Sequence, residues 1–267
     1  SFRRGLAATA PHARLTDVEV DARQLRFDKT DPAYAAFLAD DVEATQAVDR
    51  LAATPRVQAA ARRVLERSFT PAFVDTMSDP VRAALDLWNL YAIVPGMGDQ
   101  TSADLSPFLA RRDAAVLAEL DDADYFYRIG PSFTGQETTY AAAHVVLDDF
   151  FARLHERLRG GRVAAVFRFG HAEQLIPFTA LLGIEGSDRQ QPRRTVLTRD
   201  ANPWRGGVVA PLGGNVQWDV FRDARGRVLV RVLQDERQVR VASRCRQAPG
   251  APLYYRLDEL ERCLRAD

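Results

Sequence analysis

Gly170-His171-Ala172-Glu173 is the stretch of this 267-residue sequence whose residue types and spacing can do chemistry. A short apolar run, Val163 to Phe169, ends at Gly170, and an ionisable pair follows at once. Such a run reads as a strand buried in a parallel sheet, and parallel α/β sheets bind ligands beyond the carboxyl ends of their strands. Glu173 to Leu182 reads as a helix closed by Gly183. Its free N–H groups and positive dipole end therefore point at the same place, which suits an anion. Gly170 lets the backbone approach a ligand closely. His171, when protonated, can bond the oxygens of a phosphate-like anion. Glu173 is long enough to reach back and give a proton to a leaving alkoxide. The same residues also have a plain reading, a helix cap followed by a solvated Glu, because most strand ends are not sites.

The elements that must hold this stretch are legible by period. Thr138 to Arg159 reads as one long helix, with Ala143, Leu147, Phe150, Leu154 and Leu158 on one stripe and Gly160-Gly161 at its end. Helix, strand and helix in this order predict a βαβ-type layer with a parallel sheet. Residues 2–9 read as a helix tail, and Thr16 to Ala22 alternates as a half-buried strand. From Pro32 to about Leu120 the pattern is helical. It includes Tyr34, Phe37 and Leu38, then Leu51, Val57, Ala61, Val64 and Leu65, and a stripe of Val81, Leu85, Trp88 and Tyr91. Ala114 to Leu120 reads as a further short helix. These apolar stripes are core positions. Val216-Trp218-Val220 and Val228-Val230-Val232, with Asp223-Ala224-Arg225-Gly226 between, predict a β-hairpin. Leu257 to Leu264 reads as a terminal helix.

Composition excludes some classes. Lys+Arg and Asp+Glu balance at 36 each, which argues against a general nucleic-acid binder but leaves room for a basic pocket and a small polyanionic substrate. Lys29 is the single lysine among those 36 cations. Arginine binds phosphate in a bidentate way, yet so uniform a bias also fits a GC-rich genome. No apolar run reaches the ~18 residues that span a membrane. The chain opens on Ser1 without an initiator Met and shows no signal peptide, so a targeting segment can be missing. Cys245 and Cys263 either form one disulfide in an oxidising compartment or remain two thiols.

Phe169-Gly-His-Ala-Glu-Gln-Leu-Ile-Pro-Phe-Thr-Ala-Leu-Leu-Gly183 resembles the histidine acid phosphatases, in particular their multiple inositol polyphosphate phosphatase branch. Asn215-Val-Gln-Trp-Asp-Val-Phe221 and the Val228–Arg237 strand follow in the family's order. Leu147-Asp-Asp-Phe-Phe151 and Leu25-Arg-Phe-Asp28 are similar upstream, while the helical middle matches weakly. The resemblance implies a phosphate-binding role for His171 and a proton-donating role for Glu173. It implies hydrolysis of inositol polyphosphates, phytate among them, through a phosphohistidine, with no cofactor or metal and with neither nucleic acid nor membrane as partner. Arg205, Arg26 and Lys29 are further candidates for substrate binding. Asn215 is a weaker one, and a surface arginine and a turn asparagine are equally ordinary readings of that loop. Cys245 resembles a C-terminal cysteine of the wider family, whose usual near partner position holds Tyr255, so that Cys263 can substitute.

One departure matters. The family's nucleophilic histidine sits in an Arg-His-Gly-x-Arg motif, which is absent here; His12, His144 and His155 lie in Pro-His-Ala, Ala-His-Val and Leu-His-Glu. The expectation is therefore a histidine-phosphatase-like α/β sandwich, incomplete at its N-terminus, with an inserted α-helical cap. Residues 1–30 and 136–267 form the α/β domain and residues 31–135 the cap. The missing N-terminal segment of the same protein is the implied partner, in an extracellular or periplasmic setting. The alternatives are a non-catalytic relative that holds phosphorylated ligands and a broad-specificity acid phosphatase.

Overall fold

A computed structural model describes residues 2–266. Capping residues followed by proline cut the first half into short helices: α1 (Phe2–Thr9), α2 (Ala22–Leu25), α3 (Phe27–Thr30), α4 (Pro32–Asp40), α5 (Val42–Ala52), α6 (Pro55–Leu65), α7 (Pro71–Val74) and α8 (Pro80–Ile93). Asp31, Thr54, Thr70 and Asp79 each accept an N–H of the first turn and precede a proline that has none to lose. Val94–Met97 then tightens into a 3-10 turn.

α9 (Arg111–Arg128) runs well past the expected end at Leu120. The acidic run Asp121-Asp122-Ala123-Asp124 looks like a surface, but burial of Ala123, Phe126 and Tyr127 carries the helix onward. Two buried carboxylates fix α9 to α6. Asp113 Oδ1 accepts from Arg63 Nε and Nη2 at 2.9 and 2.6 Å, and Glu119 takes a bidentate pair from Arg56 at 2.9 and 3.1 Å.

The helix expected over Thr138–Arg159 is two, α10 (Thr138–Ala141) and α11 (His144–Leu158). Between them the N–H of Ala143 donates to Tyr140 O in a tight three-residue step. α12 (Ala172–Leu181) follows, closed by Gly183 at φ +61. A Cβ on Gly183 would stand 2.8 Å from Ala242, so backbone conformation and space both require glycine there.

After α13 (Gly206–Val209) come β1 (Val216–Arg222), β2 (Val228–Gln234), β3 (Arg237–Val239), β4 (Tyr254–Arg256) and α14 (Leu257–Leu264). The hairpin forms as expected, with Trp218 opposite Val232 and Val220 opposite Val230. Its turn is held by Asp223 Oδ1, which accepts the N–H groups of Arg225 and Arg227. β3 and β4 share the other edge of β2.

Among the described residues this sheet is wholly antiparallel, and the expected parallel layer is not formed. Thr16–Ala22 is not a strand: Val18 and Val20 are 76% and 96% exposed. Val163–Phe169 is not a strand either, and Val163, Val166, Phe167 and Phe169 lie exposed. A doubly apolar run becomes a buried strand only between two hydrogen-bonded neighbours, and no described segment pairs with this one. Phe2 of α1 meets Phe167 and Phe169 with its ring tilted to both, at 4.9 and 5.1 Å between ring centroids.

One hydrophobic core runs from Phe27 to Leu264, with Tyr34, Tyr127, Trp204 and Tyr255 among its largest fully buried side chains. Cys245 and Cys263, both buried, are joined in a disulfide with Cα atoms 5.4 Å apart. It ties the loop after β3 to α14. Cys263→Ser should cost ~2–4 kcal/mol, the usual worth of a bond closing a loop of this size, read as a lowered urea midpoint. An unchanged midpoint, together with two titratable thiols in the unmodified protein, would show that the bond does not form.

Candidate active site

His171 is the N-cap of α12, with extended backbone (φ −122, ψ 178), and is exposed. Glu173 sits in the first turn of the same helix and is half-buried. The expectation that both stand at a helix N-terminus holds; the strand that was to lead into them is the unpaired 163–169 run. Arg168 turns inward from that run. It pairs with Asp149 of α11 and lies 4.5 Å above the Phe150 ring, which anchors the approach to Gly170.

Below His171 the site is built on two buried polar residues that the sequence reading did not assign a role. Gln174 Oε1 accepts the backbone N–H of His171 at 3.0 Å. Gln174 Nε2 donates to Asp28 Oδ1 at 2.7 Å, and Asp28 Oδ2 lies 3.3 Å from Lys29 Nζ. α3 is thereby bonded to the start of α12, and Lys29 and His171 become two ends of one connected chain. The signal was present: a Gln or Glu three residues after an N-cap is the reciprocal capping pattern.

Two tyrosines feel the charge of Glu173. The Tyr34 phenol on α4 is held above the usual tyrosine range, first by burial and then by the negative charges of Asp28 and Glu173. Tyr125 on α9 is raised by burial and then by Asp121, Glu173 and Asp124. Glu173 thus adds negative charge at both phenols, one on α4 and one on α9. Asp121 on α9 is pushed up to about 6, chiefly by burial, with Asp122 and Asp124 adding to the effect.

The other sequence candidates spread around this core. Arg205 precedes α13, which packs on both α9 and α12. Its Nη1 donates to the carbonyls of Asn202 (2.9 Å) and Trp204, and its Nε lies 4.0 Å from Asp122 Oδ2. Arg199 reaches the same carboxylate at 3.7 Å, while Asp122 Oδ1 accepts the N–H of Gly206. Arg205 is half-buried and committed to its own loop. Asn215 is bonded to Asp235 and Glu236 at the β2–β3 turn. Arg26 is exposed at the α2–α3 junction and makes no ion pair among the described residues. One concavity, of about 490 Å³, is lined by Asp31, Gln136, Glu137 and their neighbours and includes neither His171 nor Glu173. His171 is exposed and Glu173 half-buried at the head of α12, a helix that packs on α3, α10, α11 and α13.

Comparison with known proteins assigns this architecture. The sequence profile of the histidine phosphatase superfamily (branch 2) matches residues 13–241. The chain belongs to this superfamily. The histidine-phosphatase α/β fold implied by the His-Ala-Glu stretch is thereby established, and its helices and sheet superpose on solved members. The multiple inositol polyphosphate phosphatase of Bifidobacterium longum in complex with inositol hexasulfate is 31% identical, with a TM-score of 0.85 over 92% of this chain and 62% of that one. The phosphate complex of the same bacterial protein gives 30% and 0.84, covering 92% and 63%. Chicken multiple inositol polyphosphate phosphatase 1 is 23% identical over 228 residues, 83% of this chain and 49% of that protein. The chain thus spans about half the length of its curated relative and somewhat under two thirds of its structural ones.

Proposed function

We propose that this histidine-phosphatase chain is the proton-donor portion of an inositol polyphosphate phosphatase of the phytase kind. The observation that carries the reading is the placement of His171 and Glu173 together at the N-terminus of α12. Its similarity to an enzyme crystallised with inositol hexasulfate supports the substrate class. The exposed 163–169 run is then the strand beside which a segment bearing Arg-His-Gly-x-Arg pairs, bringing a nucleophilic histidine to His171. The buried disulfide supports an extracellular or periplasmic setting.

In this mechanism a histidine nitrogen of the added segment attacks phosphorus. A P–N bond forms as the P–O bond breaks, and Glu173 gives its proton to the departing inositol oxygen. His171 donates to a phosphoryl oxygen, and Lys29 and Arg26 supply positive charge around the polyanion. Water then attacks the phosphohistidine, Glu173 takes its proton back, inorganic phosphate leaves and the histidine is regenerated. With the complete protein, kcat/KM on inositol hexakisphosphate should exceed that on a simple sugar phosphate, and an acid-labile phosphoenzyme should be trapped. Equal rates would point to a broad acid phosphatase. Binding without turnover would point to a non-catalytic ligand holder.

A further inference from the structure

We infer that Asp28 and Gln174 are positioning residues, which hold the His171 turn in register through two linked hydrogen bonds, Asp28 to Gln174 and Gln174 to His171, with Lys29 paired to the outer oxygen of Asp28. The inference rests on the reading of His171 given above for its catalytic consequence. The geometry stands alone. Gln174 is 7% exposed and Asp28 is 4% exposed, and each uses its side chain on the other. Gln174 presents its oxygen to the His171 N–H and its amide nitrogen to Asp28, the one orientation that satisfies both neighbours. A capping glutamine needs only the first of these bonds and normally reaches it from the surface. This one is buried, and it is bonded to a residue 146 positions earlier in the chain.

The second bond decides between capping and positioning, because the two roles predict opposite results for Gln174→Glu. At a helix N-terminus a glutamate in this position is as good a cap as glutamine, or better, because the dipole favours its charge. A capping role therefore predicts no loss at neutral pH. In the buried chain the same substitution sets a second carboxylate against Asp28 and removes the donor. Two facing carboxylates disfavour joint ionisation, so one proton is retained as the pH falls, and a carboxyl O–H can then donate where the amide did. The charged and titratable groups facing this pair are Lys29 on α3, Tyr34 on α4, and His171 and Glu173 on α12. Lys29 neutralises part of the pair without supplying the missing donor.

The test uses the complete protein and two readouts: kcat/KM on inositol hexakisphosphate, and the chemical shift and exchange protection of the His171 amide. Gln174→Glu should lower kcat/KM about tenfold or more at neutral pH, the scale set by small misplacements of a catalytic group. It should shift the His171 amide as well. Relative to the unsubstituted enzyme, both effects should shrink as the pH is lowered toward about 5. Asp28→Asn keeps an acceptor for the Gln174 amide and should stay near the unsubstituted enzyme, whereas Asp28→Leu should reproduce the loss. Full activity and an unmoved His171 amide in Gln174→Glu at neutral pH would overturn the inference, and so would an equal loss in Asp28→Asn and Asp28→Leu. If the unsubstituted protein hydrolyses nothing, the proposed function fails; the His171 amide in the same variants still decides whether the chain positions that turn.

Discussion

Glu173→Gln should lower kcat on inositol hexakisphosphate by about 10²–10⁴, the range typical of general acid–base catalysis, while sparing an activated ester. Glutamine keeps the size of the side chain and its hydrogen bonding but carries no transferable proton. An inositol alkoxide is a poor leaving group and needs that proton as the P–O bond breaks. A nitrophenolate leaves nearly unaided, so p-nitrophenyl phosphate should suffer far less. The comparison separates proton donation from positioning, because loss of position would damage both substrates alike. An equal loss on both would remove Glu173 from the donor role. Attention would then move to Asp121, a carboxyl on α9 that burial holds at about 6. Both carboxylates raise the Tyr125 phenol. Glu173, unlike Asp121, stands in the first turn of α12, two residues from His171.

The sequence carried the local chemistry and missed what depends on distant partners. The α12 N-terminus, the hairpin from Val216 to Gln234 and the Leu257–Leu264 helix could be read because each is fixed by residues within one or two turns of itself. α9 could not be bounded, since its last turns are held by burial of Phe126 and Tyr127 and not by their own polar pattern. The break at Ala142-Ala143 leaves the apolar stripe intact, so periodicity does not reveal it. Val163–Phe169 is the most telling difference. Its composition is that of a central strand, and strand character is a property of a pair. With no described neighbour, the same side chains lie exposed. The position of His171 and Glu173 at the head of α12 was legible, and they drew attention because their types carry chemistry. Asp28 and Gln174 were not singled out, since their role depends on a contact across 146 residues of chain. Arg205 was legible as a cation, but its loop partners, the carbonyls of Asn202 and Trp204, could not be.

His171→Ala should lower kcat/KM on inositol hexakisphosphate by about 10²–10³, the range seen when one preorganised donor to a developing anion is removed. His171 is exposed at the head of α12, its backbone N–H is already taken by Gln174, and its ring is left to meet a ligand from solvent. A charge-assisted hydrogen bond to a phosphoryl oxygen is worth ~1.5–3 kcal/mol, so inhibition by inorganic phosphate should weaken by at least about tenfold in parallel. The competing role is structural, because His171 is also the N-cap residue. His171→Asn distinguishes the two. Asparagine is among the best N-caps, and replacing it by alanine costs ~0.5–2 kcal/mol. If capping is the whole role, asparagine restores both melting temperature and turnover. If the ring holds phosphate, asparagine restores the melting temperature and leaves most of the loss in kcat/KM, since its neutral amide offers a weaker donor at a shorter reach. A rise in KM with kcat unchanged would mean that the ring binds substrate and transition state equally. A fall in kcat places its bond where charge develops during transfer.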